Sequence, residues 1–130
     1  MKITIPGKPQ PKQRPRMTRT GIVYTPKATV SYEETVRQYA LAAGVEPHAG
    51  PVSLRITVLY QTPKSWSKKK KAAKVNTAHT QKPDADNIIK TIKDGLNRIA
   101  YIDDSQVFSV SAIKTWIDGE SAVVIEIENC

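Results

Sequence analysis

Asp84 and Asp86, two residues apart in Lys82-Pro83-Asp84-Ala85-Asp86-Asn87-Ile88-Ile89-Lys90, and the downstream pair Asp103-Asp104 are the residues here whose types and spacing could do chemistry. Mg²⁺ takes oxygen ligands and is held by few carboxylates, with water and phosphate oxygens completing its shell. Asp84, Asp86 and Asp104 converging on one such ion would suit phosphodiester hydrolysis, the chemistry of a metal-dependent nuclease. Lys90 stands one helical turn after Asp86 and could hold a phosphate or orient a water. Its plainer role is an i,i+4 pair with Asp86, worth about 0.3 kcal/mol. One aspartate at a helix start also serves as an N-cap worth about 1 kcal/mol. Capping calls for neither a second acid two residues away nor an adjacent pair at Asp103-Asp104.

The charge distribution fits a polyanionic partner. The chain carries a net +8, but residues 1–83 hold 16 Lys/Arg against 3 Asp/Glu, and residues 84–130 hold 4 against 9. A basic surface of this kind attracts nucleic acid, and the carboxylates are held back for the remainder of the chain. Two segments are candidate phosphate contacts. Lys8, Lys12, Arg14, Arg16 and Arg19 lie in a proline-punctuated arm that cannot be helical. Lys68, Lys69, Lys70 and Lys71 form a run whose like charges repel, so it is expected to be mobile without a partner, with a short helix capped by Ser65 or Ser67 as the alternative. Trp66 beside it either stacks on a base or anchors the loop to the core. His79 reads as a solvated residue of a polar linker. In each basic segment the bland alternative is a solubilising connection.

At 130 residues, 39% of them hydrophobic, the chain is expected to be one domain, 1–130, with a modest core. No run approaches the roughly 20 apolar residues of a membrane span, the N-terminus reads as a strand and not a signal peptide, and the lone Cys130 cannot form an internal disulfide. These features lead to the expectation of a cytoplasmic protein without membrane attachment.

The elements that must position these residues follow from periodicity. Residues 2–5 alternate as a short strand. A helix over about 28–43 is expected after Thr25-Pro26, with Val30, Val36, Tyr39, Ala40 and Ala43 as its apolar stripe and Gly44 as its stop. Val52, Leu54, Ile56, Val58 and Tyr60 share one face of a strand over about 52–60. A second helix begins near Asp84–Asp86 and runs to about Ile99. Ile88, Ile89, Ile92, Leu96 and Ile99 fall on one arc, and Asp86, Lys90 and Asp94 fall opposite. Gly95 in that helix implies a close backbone approach or a weak point. A strand over about 106–116, an Asp118-Gly119 hairpin turn and a strand over 121–127 complete the chain. The resulting class is α/β (α+β), a mixed sheet of about four strands with two main helices. One geometric difficulty follows. A second helix of about 22 Å separates Asp84 from the loop holding Asp104, and the next strand runs back along it. Either the helix starts later and residues 100–104 fold back, or the carboxylates meet across a dimer; the sequence leaves both open.

With these residues assembled, the chain closely resembles the RusA family of Holliday junction resolvases. The resemblance rests on Lys82-Pro83-Asp84-Ala85-Asp86-Asn87-Ile88-Ile89-Lys90, Asp94-Gly95-Leu96-Asn97 and Tyr101-Ile102-Asp103-Asp104-Ser105-Gln106-Val107. Pro11-Lys12-Gln13-Arg14-Pro15-Arg16 and Val23-Tyr24-Thr25-Pro26 add to it, so that it covers nearly the whole chain. It implies that Asp84, Asp86 and Asp104 are essential metal-site acids, Lys90 a catalytic lysine and Asp103 a lesser contributor. It also implies a Mg²⁺-dependent homodimer (Mn²⁺ a substitute) of mixed α/β fold, common in phages and prophages, that cuts four-way DNA junctions by paired incisions. The lysine run and Trp66 do not map onto a family pattern. A less selective flap or fork nuclease, a non-catalytic DNA-binding module and an anionic-ligand or phospholipid binder are the competing readings.

Overall fold

The structure, a computed structural model, describes residues 1–12 and 14–130. Gln13, part of the basic arm in the resemblance, lies outside the described residues. The elements in chain order are β1 (Lys2–Pro6), β2 (Arg16–Met17), β3 (Val23–Tyr24), α1 (Lys27–Ala42), β4 (Val52–Gln61), α2 (Lys68–Lys74), α3 (Ala85–Leu96), a 3₁₀ turn (Asp104–Gln106), β5 (Val107–Ile117) and β6 (Ala122–Asn129). The four long strands form one mixed sheet in the order β1-β6-β4-β5, and β2 with β3 forms a separate small hairpin that periodicity does not signal.

Strand β4 is central because its alternation buries Val52, Leu54, Ile56, Val58 and Tyr60 against the helices, as the period-two pattern predicts. It pairs antiparallel with β6, Ile56 opposite Ile125, and parallel with β5, Tyr60 opposite Trp116. Ile125 and Val123 of β6 and Ile5 of β1 extend the same buried face. Helix α3 lays Ile88, Ile92 and Leu96 on that face, and α1 packs against α3.

Three expectations are corrected, and of the two readings of the lysine run the short helix capped by Ser67 is the one found. Asp118-Gly119 does not close a hairpin, because β4 lies between β5 and β6; the turn carries the chain past the end of β4, and local turn chemistry cannot tell which strand the returning segment will pair with. Helix α3 stops at Leu96 and does not reach Ile99, since Asn97 is extended and Arg98 has φ 66°. Val30 and Tyr39 of α1 are exposed, and the buried stripe is Thr29, Tyr32, Val36 and Ala40. The lysine run is ordered into α2, with the Ser67 hydroxyl accepting from the Lys70 amide at 3.1 Å.

Gly95 marks a close approach of α1 and α3. A Cβ built there would stand 2.9 Å from Val36 Cβ and 3.0 Å from the Glu33 carbonyl oxygen. Helix backbone on one side and a buried valine on the other leave nothing flexible to yield. Overpacking of this kind costs about 1–3 kcal/mol, more than the roughly 1 kcal/mol by which alanine favours a helix. Gly95→Ala is therefore expected to lower stability, measured as a decrease in the chemical-denaturation midpoint; an unchanged or raised midpoint would refute the packing argument.

Candidate active site and nucleic-acid interface

Asp84 occupies the N-cap of α3 in extended conformation (φ −69°, ψ 143°), yet its side chain makes no capping hydrogen bond. The carboxylate's partner is the Lys82 ammonium at 3.5 Å, in a largely exposed pair that holds it only weakly. Asp86 sits in the first turn of α3 and Lys90 one turn on; both are exposed, and no i,i+4 pair joins them. The start of α3 therefore presents two carboxylates and an ammonium that the packing of the fold does not use.

The lead-in to Asp84 is held from below by a residue that no motif singles out. Lys114, at the inward parity of β5 shared with Ala112 and Trp116, donates to the backbone carbonyls of Gln81 at 2.7 Å and Pro83 at 2.6 Å. A lysine on the buried side of a strand must find partners, and that parity is the signal by which the sequence could reveal it. His79 also departs from its expectation. It is buried at 5% exposure, not solvated, with its ring stacked on Tyr60 at 4.0 Å and tilted against Trp116 at 4.3 Å. Burial and then the Lys114 charge lower its pKa, a backbone hydrogen bond opposes them, and the Lys8 charge adds a lesser push downward. Tyr60, His79 and Trp116 form the inner wall of a cleft of about 600 Å³ whose mouth carries Lys8, Lys82 and Asp84. Trp66 packs on Trp116 at 4.9 Å with Lys70 Nζ 4.5 Å above its ring, so it anchors the lysine segment to the core.

Asp104 lies elsewhere. Lys114 marks the Asp84 end of β5, and Val107 is seven residues earlier, so roughly 20 Å of strand separates the two ends. Tyr101 Oη donates to the Lys93 carbonyl at 2.6 Å, which places the segment leading to Asp104 at the opposite end of α3. There Asp103 acts as a cap: its carboxylate accepts from the Ser105 amide at 3.0 Å and from the Ser105 hydroxyl. The hydroxyl bond is the main reason its pKa lies below the ordinary aspartate value. Gln106 is a clamp. Its Oε1 accepts from the amides of Ile102 and Asp103, and its Nε2 donates to the carbonyls of His48 and Gly50. Asp104 is partly exposed, and its carboxylate bonds to none of the described residues. The structure thus places Asp84, Asp86 and Lys90 along the N-terminal half of α3 and leaves Asp104 and Asp103 at the far end of the helix.

The basic residues divide in the same way. Lys8 faces the cleft. Lys12 is not a free cation: its ammonium lies 2.8 Å from Glu33 and 3.0 Å from Asp94, tying α1 to α3 at 27% side-chain exposure. Burial disfavours that charge, but the bonds to Glu33 and Asp94 outweigh it and raise the pKa above the ordinary lysine value. Arg14, Arg16 and Arg19 are exposed, Arg16 on β2 and Arg19 in the β2–β3 turn. Lys68, Lys69 and Lys70 are exposed on α2, with Lys71 half-buried.

For Mg²⁺, the donor chemistry of Asp84 and Asp86 fits: two exposed carboxylates, to which water and phosphate oxygens would add. No group of three His, Cys, Asp or Glu side chains among the described residues could hold a metal ion, so Asp104 does not join them within one copy.

A sequence model described as endodeoxyribonuclease RusA matches residues 6–128. The chain belongs to the RusA family. It is accordingly a nuclease-family protein that acts on DNA, and the mixed four-stranded sheet with helices on one face is its RusA-like fold. The chain is also similar to the uncharacterized protein YqaN of Bacillus subtilis (strain 168), 38% identical over 124 residues that cover 88% of this chain and 86% of that one. No helix among the described residues is long and apolar enough to cross a membrane.

The Lys114 bonds to the Gln81 and Pro83 carbonyls give a prediction for a RusA-family nuclease. Lys114→Met, which keeps the stem and removes the charge, frees the Gln81 and Pro83 carbonyls and loosens Asp84. DNA cleavage is expected to decrease about 10–100-fold, the usual cost of losing an outer support of a site, with a raised Mg²⁺ requirement and a folded far-UV spectrum. Wild-type cleavage at every Mg²⁺ concentration would remove Lys114 from the site.

Proposed function

We propose that this protein resolves four-way DNA junctions by Mg²⁺-dependent phosphodiester hydrolysis, as a homodimer making paired incisions. The observation that carries this reading is Asp84, which lines a cationic cleft as a carboxylate in the cap position that does not cap, with exposed Asp86 and Lys90 following it on α3. A purely structural aspartate at that position would bond the first-turn amides. Asp84 and Asp86 would hold the ion, which when bound supplies Lewis acidity toward the phosphate and a more acidic water. Lys90, on the same exposed end of α3, offsets charge that develops on the phosphate. Lys8 and Lys82 receive flanking phosphates, and α2 and the β2–β3 hairpin extend the interface along the DNA backbone, consistent with DNA in the cytoplasm.

Asp104 completes the set from a second copy. Strand β5 is the edge of the four-stranded sheet; residues 76–79 bond its outer side at Lys114–Trp116, and among the described residues no strand pairs with that side over Val107–Ile113. It exposes Phe108 at 65% and Ile113 at 57%, and Ile102 lies exposed just before it. A long edge carrying apolar residues invites pairing. Antiparallel association of two β5 strands about Ser109 sets Asp104 of one copy opposite Lys114 of the other, and Lys114 touches Pro83 next to Asp84. A two-fold dimer of this kind carries two equivalent sites, which suits opposed cuts across a junction.

The test uses labelled four-way junction, flap and linear duplex with Mg²⁺ or EDTA, and the variants Asp84→Asn and Asp104→Asn. Each variant alone is expected to bind junction without cutting. Mixed after subunit exchange, the two variants yield heterodimers with one intact shared site, and single-strand nicking returns without paired incision. No recovery on mixing would place all three acids in one copy. Cutting of flaps as fast as junctions would favour the less selective nuclease, and junction binding without cutting by the wild type would favour a binding module.

Replacing Lys68, Lys69, Lys70 and Lys71 by glutamine is expected to weaken binding to every DNA form alike. For each phosphate that these lysines neutralise, the slope of log K against log salt should flatten by about 0.9. An unchanged slope would take α2 out of the interface.

A further inference from the structure

We propose that the β2–β3 hairpin is a wedge for the branch point, laying its exposed apolar side chains against the base-pair faces that an open four-way junction uncovers. This role rests on the junction reading above and adds to it a part that tells a branch from a duplex.

The hairpin pairs Arg16 with Tyr24 and Met17 with Val23, so Met17 and Val23 share one face and Tyr24 lies on the other. Neither face is buried by the fold. Met17 is 69% exposed, Ile22 63%, Val23 61% and Tyr24 45%. A two-stranded ribbon without a packed face is marginal by itself, and large apolar side chains gathered in water mark an interaction surface. The tip is a closed turn. The Thr18 amide donates to the Ile22 carbonyl at 2.8 Å, and the Ile22 amide donates to the Thr18 hydroxyl at 3.1 Å.

Charge and position indicate what covers these side chains. Residues 1–32 hold no Asp or Glu, and Arg14, Arg16 and Arg19 are exposed on and beside the hairpin. Apolar side chains set among arginines call for a partner that offers apolar area and negative charge side by side. Bases flanked by phosphates are such a partner, whereas a second copy docking through the same patch would bring like charges together. The root of the hairpin lies at the acids. The Lys12 amide donates to the Asn87 carbonyl at 3.0 Å, one residue past Asp86 in the first turn of α3. Arg16 is four residues further on, at most about 14 Å of extended chain. DNA held at Asp84 and Asp86 is therefore within reach of the hairpin. In an intact duplex each base pair is covered by the next, and a wedge must first unstack a step. At the centre of an open junction the innermost pair of each arm has a free face, so the same apolar contact forms without that cost.

The experiment uses the full-length protein in EDTA, where binding is read without cutting. Immobile four-way junctions carry one 2-aminopurine, either beside the branch point or midway along an arm. With the wild type, emission is expected to change at the branch-point position and not in the arm. The triple variant Met17→Gln, Ile22→Thr, Val23→Thr alters exposed positions only and keeps Arg14, Arg16 and Arg19; a thermal melt verifies its fold, and Ile22→Thr alone carries the same test if the triple variant does not fold. The variant is expected to lose the branch-point signal. It should bind junction at least about tenfold more weakly, a small part of what burying three apolar side chains yields. Its duplex affinity and salt slope should stay those of the wild type, because the phosphate contacts remain. A branch-point signal that survives in the variant, or an equal loss of junction and duplex binding, overturns the wedge and leaves the hairpin a backbone contact. Sedimentation of the free protein decides the rival occupant: a wild-type dimer that the substitutions convert to monomer makes the hairpin a self-association surface and also overturns the wedge. Junction cutting in Mg²⁺ by a wild type that gives no branch-point signal refutes the wedge alone, and the signal without cutting refutes the nuclease reading alone.

Discussion

The parallel pairing of β4 with β5 is the constraint on which the rest of the structure depends. Parallel neighbours cannot be joined by a tight turn, so the chain from Thr62 to Gln106 must cross over the sheet and return to the same end. That crossover contains α2, the His79 segment, the acid lead-in and α3. Because α3 runs back against β5, its N-terminus with Asp84 lies at one end of the sheet and the Asp103-Asp104 turn lies at the other. The separation of the acids is thus a consequence of topology. No adjustment of helix ends removes it, since shortening α3 at Leu96 still leaves β5 to be traversed.

The polar groups near α3 divide into those consumed by folding and those left over. Lys12, Asp94 and Glu33 neutralise one another between the helices, Asp103 caps a turn, and Gln106 fastens that turn to the loop at His48 and Gly50. Asp84, Asp86, Lys90 and Asp104 are not used in this way. Among those four Asp84 stands out, because an exposed carboxylate needs no partner while one at a helix N-cap ordinarily takes one. Lys114 directs its charge at the carbonyls of Gln81 and Pro83, in the segment just before Asp84.

How much of this is legible in the sequence depends on the range of the interaction. The alternation of Val52 to Tyr60 and the isoleucine arc of α3 are local patterns, and the structure matches both over Val52–Tyr60 and Ile88–Leu96. Gly95 signals a close approach because glycine in a helix interior is costly without one. The Asp118-Gly119 turn misleads because a turn's chemistry is local and strand pairing is not. Spacing alone puts Val30 and Tyr39 in the core of α1, whereas the buried face is set by where α3 and β1 lie. His79 has no signal in its neighbours, since its burial comes from Tyr60 on β4 and Trp116 on β5. At the candidate site, the residue types and the two possible placements of Asp104 are readable, and the choice between them requires the direction of β5.

The same crossover explains why an aromatic cleft and an acid pair share a wall. Tyr60 and Trp116 are paired residues at the end of the parallel strands, so their rings must stand side by side on the helix face. The chain leaving β4 turns there, and His79, hydrogen-bonded through its backbone amide to Lys114 at 3.0 Å, fills the gap beside both rings. Four residues later the chain passes Pro83 and enters α3 at Asp84. One strand position therefore sets both features: Lys114 fixes the His79 amide through its carbonyl and the Asp84 lead-in through its ammonium. The aromatic cluster and the Asp84 end of α3 are thus tied to the same strand position.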